Sequence, residues 1–302
     1  MIAGLFACLV AVVAPPPGYE AITELSDEFE RPSLDTRKWS TDDSVVGWKG
    51  RPPGLFDPAN VIVHDGKLQL WAHAAMRNAS WPPGFDNYTT AAVHSLARVH
   101  EGFFEVRWRS GSSGISSSWW LHHNSGGTMW TEIDVFESTG ACNGAMANAS
   151  TFPSHLHIFD LPNTTAAELP SKCNCELHEG RAPCSIASTH VLDRAQPTFA
   201  DRFHVASLNW TAEGVTIALD GEVVSKMASP CLLQKIGMDF DRETMPGWMV
   251  LPDPATLPDR PFEIDYVRAW RRRPPSAPVG RPEERAAEAT VQGTTETGKP
   301  FL

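Results

Sequence analysis

The segment Trp130-Thr-Glu-Ile-Asp-Val-Phe-Glu137 constrains this chain more than any other. Three carboxylates fall within six residues, interleaved with apolar, β-prone side chains. Successive side chains of a strand point to opposite faces, so Glu132 and Asp134 share one face and Ile133 and Val135 the other. Glu137 has the wrong parity. A β-bulge at Val135–Phe136 supplies the one extra residue that returns it to the acidic face. Such a strand must lie over an apolar core and present a row of acids outward. Paired carboxyl groups in that arrangement suit cleavage of a glycosidic bond. At a separation of about 5–5.5 Å, one attacks the sugar while the other protonates the leaving oxygen.

The surrounding sequence is consistently β. Asn60–His64 and Lys67–Ala72 flank Asp65-Gly66, and Gly214–Leu219 turns at Asp220-Gly221 into Glu222–Val224. Asp-Gly between two apolar runs is a strong hairpin signal. Further strands are expected over 102–109, 117–122, 203–210 and 261–270. Short strands roughly ten residues apart, with no long amphipathic period, indicate an all-β sandwich or barrel. The chain of 302 residues is long enough for one large domain. The expected organisation is a signal peptide over 1–18, a β domain over 19–272 and a disordered Pro/Ala/Glu/Gly/Thr tail over 273–302.

A net charge of −11, with no long basic run before residue 271, argues against a nucleic-acid partner. Met1–Ala14 is apolar and ends in small residues, too short to span a bilayer but suited to a secretory leader. Asn78, Asn87, Asn148, Asn163 and Asn209 each open an N-glycosylation sequon. Together these predict a secreted glycoprotein without a membrane anchor. Cys142, Cys173, Cys175, Cys184 and Cys231 would then form one or two disulfides and leave one thiol. Cys173, Cys175, His178 and Cys184 match no common zinc-finger spacing. Eleven Trp against three Tyr fits both core packing and sugar stacking.

Glu132-Ile-Asp-Val-Phe-Glu137 resembles the E-[IL]-D-x-x-E signature of glycoside hydrolase family sixteen in its β-bulge form. That family's other landmarks follow in order: Asp27-Glu-Phe29, the Asn60–Leu70 hairpin, Gly102-Phe-Phe-Glu105, Phe203-His-Val205, Leu219-Asp-Gly221 and Ile264-Asp-Tyr-Val-Arg268. The resemblance implies a β-jelly roll of two curved antiparallel sheets with a concave sugar-binding face. It implies that Glu132 is the nucleophile and Glu137 the acid/base, with Asp134 tuning the pair. Trp48, in a Gly-Trp-x-Gly-x-Pro loop, resembles the agarase and porphyranase branch. Trp120, Trp130, His157, Glu243 and Trp248 are the other substrate-facing candidates, and Arg51 and Lys49 could meet a sulfated sugar. No catalytic cofactor is expected; a structural calcium with Asp265 as ligand is. The function implied is a secreted, monomeric, retaining endo-β-glycosidase acting on a galactan. A β-1,3-glucanase, a transglycosylase and a non-catalytic carbohydrate-binding protein are the alternatives, and retention of both glutamates favours an enzyme.

Overall fold

The structure, a computed structural model, describes residues 16–45, 47–123, 129–141, 149–160, 184–192, 198–228, 232 and 234–273, with the backbone alone for 129, 130, 158–160 and 184–186. The apolar start, the tail from residue 274, the sequons at Asn148 and Asn163, Cys142, Cys173, Cys175 and Cys231, and the side chains of Cys184 and Trp130 lie outside the described residues.

Strands run in chain order as β1 (Tyr19–Ala21), β2 (Trp39–Ser40), β3 (Gly54–Phe56), β4 (Val61–His64), β5 (Lys67–Leu70), β6 (His73–Ala74), β7 (Tyr88–Ser95), β8 (Gly102–Arg109), β9 (Ser116–His123), β10 (Met129–Thr139), β11 (Thr151–Asp160), β12 (Cys184–Val191), β13 (His204–Thr211), β14 (Gly214–Leu219), β15 (Glu222–Ala228), β16 (Gly237–Arg242) and β17 (Phe262–Arg272). One sheet has the order β15-β14-β13-β8-β17-β5-β4, with β1 also on β17. The other runs β12-β11-β10-β9-β16-β7-β2, with β3 and β6 on β7. All of these pairings are antiparallel except β3 with β7. The architecture is the expected jelly roll. Both Asp-Gly hairpins form, and Asp65, Gly66, Asp220 and Gly221 all take positive φ, as a two-residue hairpin turn requires.

Alternation decides which sheet face is buried. In β8, Phe104, Val106 and Trp108 are inaccessible, while Phe103, Glu105, Arg107 and Arg109 are only partly buried. In β10, Ile133, Val135 and Phe136 enter the same core. Trp108 stacks on Phe136 with ring centroids 3.9 Å apart and touches Phe152, Phe199 and Phe262. This aromatic cluster underlies the bulge of the acidic strand. Trp108→Ala should cost about 3–5 kcal/mol of stability, read from chemical denaturation.

Strands β7 and β16 were not expected from the sequence. β7, Tyr-Thr-Thr-Ala-Ala-Val-His-Ser, is buried along its whole length and so shows no polar alternation. The expected calcium ligand, Asp265, has a cationic neighbour. Asp265 is ion-paired with Arg107 Nη1 at 2.5 Å, and a guanidinium in that position opposes a cation ligated by oxygen. Asn78 and Asn87 are exposed, whereas Asn209 sits within β13 with its Oδ1 buried.

Candidate active site

The register of β10 on β9 shifts between Asp134 and Phe136, leaving Val135 as the extra residue. The bulge therefore falls where parity requires it. Val135 and Phe136 both enter the core, and Glu132, Asp134 and Glu137 all line one cleft. Trp48, Arg51, Ser118, Trp120, Asp241, Glu243 and Met245 line it too.

Asp134 lies between the two glutamates along the strand and is 3% exposed. Burial, then the charges of Glu132, Glu137 and Asp241, push its carboxyl well above the usual carboxylate range, and a hydrogen bond with Glu132 favours the protonated form. Cross-strand neighbours complete the surroundings. His155 on β11 places Nδ1 3.0 Å from Glu137 Oε2, and His157 places Nε2 3.3 Å from Asp134 Oδ2. Burial, and then His155, hold the His157 imidazole down at about 4. Asp134, His155 and His157 offer ligand atoms within 4.8 Å of one another, a spacing that a cation could use. His155 is already engaged with Glu137.

On β9 the two adjacent tryptophans part as parity demands. Trp119 is in the core, and Trp120 faces the cleft and donates from Nε1 to Asp241 Oδ2 at 2.7 Å. Burial, with Glu137 and Asp239 adding to it and the Trp120 hydrogen bond opposing it, raises Asp241 to about 7.

The loop carrying Trp48 is pinned to the end of β16. Gly54 N donates to Thr244 Oγ1 at 2.9 Å. A Cβ at Gly54 would lie 2.8 Å from Thr244 Cγ2, so only glycine permits this approach. Trp48 Nε1 in turn donates to Glu243 Oε1 at 2.7 Å, and Arg51 Nε lies 3.4 Å from Glu243 Oε2. Burial, then Asp241, raise Glu243 to about 8. Arg51 keeps a side chain 49% exposed over the cleft and within 5.7 Å of the Trp48 ring centroid. Lys49, in contrast, lines a separate recess with Thr41, Asp42 and Asp43.

Trp48, Trp120, His157 and Glu243 are thus brought to the acids. Trp248 packs on His155 at 5.3 Å, one layer out. Sequence reasoning missed Asp241, Ser118, Met245 and the role of His155 beside Glu137. The signal for Asp241 was present, because Met238-Asp-Phe-Asp241 repeats the apolar/acid alternation of β10.

Asp241 and Glu243 hold protons in the fold that the unfolded chain gives up near 3.8 and 4.5. Stability that these groups contribute in mildly acidic solution is lost as pH rises through about 7 and 8. His157 acts in the opposite sense, but only below its unfolded value of 6.5. The melting temperature should therefore fall by at least about 3 °C between roughly pH 6.5 and 9, and Glu243→Gln should flatten the decline in a thermal-shift series.

A family model described as the GH16 domain of β-porphyranases A–D matches residues 19–272. β-Porphyranase B of Zobellia galactanivorans is 24% identical over 273 residues, covering 85% of this chain and 86% of its own. β-Porphyranase E of the same organism is 27% identical over 276 residues, covering 86% and 91%. The crystal structure of porphyranase B from Zobellia galactanivorans superposes with a TM-score of 0.70 at 24% identity, over 84% of this chain and 92% of that one. The laminarinase catalytic domain of Thermotoga maritima superposes at 0.65 with 18% identity, over 85% and 99%. At such identities the superpositions show the fold alone. It is the family match over nearly the whole β domain, together with two glutamates and an aspartate on one bulged strand, that classifies the chain: it belongs to the GH16 β-porphyranase A–D family and is a glycoside hydrolase.

Proposed function

We propose that this chain hydrolyses internal β-linkages of a red-algal galactan, porphyran above all, by double displacement with retention. The observation that carries the reading is the row Glu132, Asp134, Glu137 on the bulged strand, facing a cleft whose rim holds Trp48 and Arg51. Glu132 attacks the anomeric carbon as a carboxylate. Protonated Asp134 donates its hydrogen bond to Glu132, which supports the ionised form without adding a like charge between the two glutamates. Glu137, oriented by His155, protonates the leaving oxygen and then takes the proton from water in the second step. Trp48 and Trp120 offer indole faces to the sugar rings.

Arg51 supports a sulfated substrate. Its nearest carboxyl, Glu243, is held up at about 8 and so leaves the guanidinium largely uncompensated at neutral pH. Guanidinium groups bind tetrahedral oxyanions with paired hydrogen bonds. The names of the relatives, β-porphyranases B and E, point the same way. Purified protein incubated with porphyran, agarose, κ-carrageenan, laminarin and lichenan should release oligosaccharides from porphyran first. Release from laminarin alone would overturn the galactan reading, and binding without product would overturn the enzyme reading. Arg51→Ala should lower kcat/KM on porphyran by about 10- to 100-fold, some 1.4–2.8 kcal/mol, and change it far less on unsulfated agarose.

The apolar start and the sequons support secretion, with Asn78 and Asn87 exposed as acceptors. An oxidising destination would let the cysteines between 142 and 231 pair.

A further inference from the structure

Next to the cleft lining, on the strands that carry Trp120 and Asp241, lies a second polar device that the chemistry above does not use. Asp239 of β16 lies between two histidines. His94 Nδ1 on β7 is 2.7 Å from its Oδ1, and His122 Nδ1 on β9 is 2.6 Å from its Oδ2. The three side chains are 2–4% exposed. His122 faces Glu132 directly across the β9–β10 pair, and its other cross-strand neighbour, Gly237, has no side chain. The ring therefore meets Asp239 on the diagonal and stands on the strand pair directly opposite Glu132.

We propose that His122 is a positioning residue for the reaction: an imidazolium anchored by Asp239 that stands across the strand from Glu132 and keeps that carboxylate ionised for attack. The inference rests on the reading of Glu132 as nucleophile.

The geometry places the positive charge. Each oxygen of the Asp239 carboxylate meets one imidazole Nδ1, so its charge is compensated despite burial. His94 turns its Nε2 into the interior, where that atom is buried with no hydrogen-bond partner among the described residues, whereas His122 faces the Glu132 carboxylate across the strand, so a positive charge is favoured on His122. Burial there works against it and Arg98 repels it, but Asp239 and Glu132 outweigh both and raise the imidazole above its ordinary value. His122 also stacks on Trp120 at 4.5 Å, which fixes the ring plane. The histidine on the other side of Glu132 differs. His157 is opposite Glu132 on β11 and sits against His155 and protonated Asp134, with its imidazole held down at about 4. Of the two histidines opposite Glu132, His122 is raised above its ordinary value and His157 is held below it.

The test is the pH dependence of kcat/KM on polysaccharide for the wild type and His122→Gln, joined to an NMR titration of the His122 imidazole in the wild type and Glu132→Gln. Loss of a cation facing the nucleophile should move the acidic limb of the profile up by about one pH unit. By linkage, loss of the Glu132 charge should lower the His122 titration by a matching amount. An acidic limb that stays in place while kcat falls would make His122 merely structural and overturn the proposal. So would a His122 titration that is the same in both proteins. If His122→Gln does not fold, the NMR comparison decides alone. Failure of the underlying reading shows up separately, as turnover retained by Glu132→Gln rather than as an unchanged titration.

Discussion

Glu132→Gln lowers kcat by more than about a thousandfold, some 4 kcal/mol of activation free energy, and leaves polysaccharide affinity nearly intact. The side-chain volume is kept, and the amide can still accept from the Asp134 hydroxyl, so the cleft keeps its shape. What disappears is the carboxylate oxygen that bonds to the anomeric carbon. Trp48, Trp120 and Arg51, the proposed sugar contacts, line the cleft from other elements, so KM or a retardation assay should change little. A smaller side chain, Glu132→Ala, opens space beside the sugar. Azide entering there should rescue cleavage and give a product of inverted configuration, because one displacement has replaced two. Product stereochemistry read by proton NMR checks this. Wild-type turnover by Glu132→Gln would remove the nucleophile assignment.

Glu137→Gln has an effect of comparable size with a different signature. General acid catalysis contributes about 10²- to 10⁴-fold, and it matters most where the leaving group is a poor one. Cleavage of polysaccharide, with a sugar alkoxide to expel, should fall by that factor. Glycosides carrying a nitrophenolate need little protonation, so their first step should be nearly unaffected, and a burst of nitrophenol should precede slow deacylation-like hydrolysis of the glycosyl-enzyme. Equal losses on both substrates would place the acid elsewhere. Asp241 is the next carboxyl of the cleft, with its proton held to about 7.

Local rules account for much of the fold. The Asp65-Gly66 and Asp220-Gly221 turns require positive φ at both central residues, a requirement written in the residues themselves. The apolar alternation of β8 and β13 repeats at a period of two along each strand, so it can be read without a partner. Strand β7 was not legible, because a strand covered on both faces loses its alternation. β16 was obscured for another reason. Its Asp239 and Asp241 are buried acids, which pattern reading takes for loop residues unless a site is there to compensate them.

The candidate site divides along the same line. The sequence by itself determined the acidic row, because the parity of Glu132, Asp134 and Glu137 forces a bulge at Val135 if all three are to share a face, and parity is a property of one strand. It also marked Trp48, Trp120, His157 and Glu243. The tertiary structure alone decided what surrounds the row. His155 reaches Glu137 from β11, Asp241 reaches it from β16, Arg51 and Trp48 meet Glu243 through a loop pinned at Gly54, and His122 is tied to His94 through Asp239. These contacts join residues up to 195 positions apart. Their energies depend on burial and on the spacing of charges across strands, and neither exists until the sheet has closed.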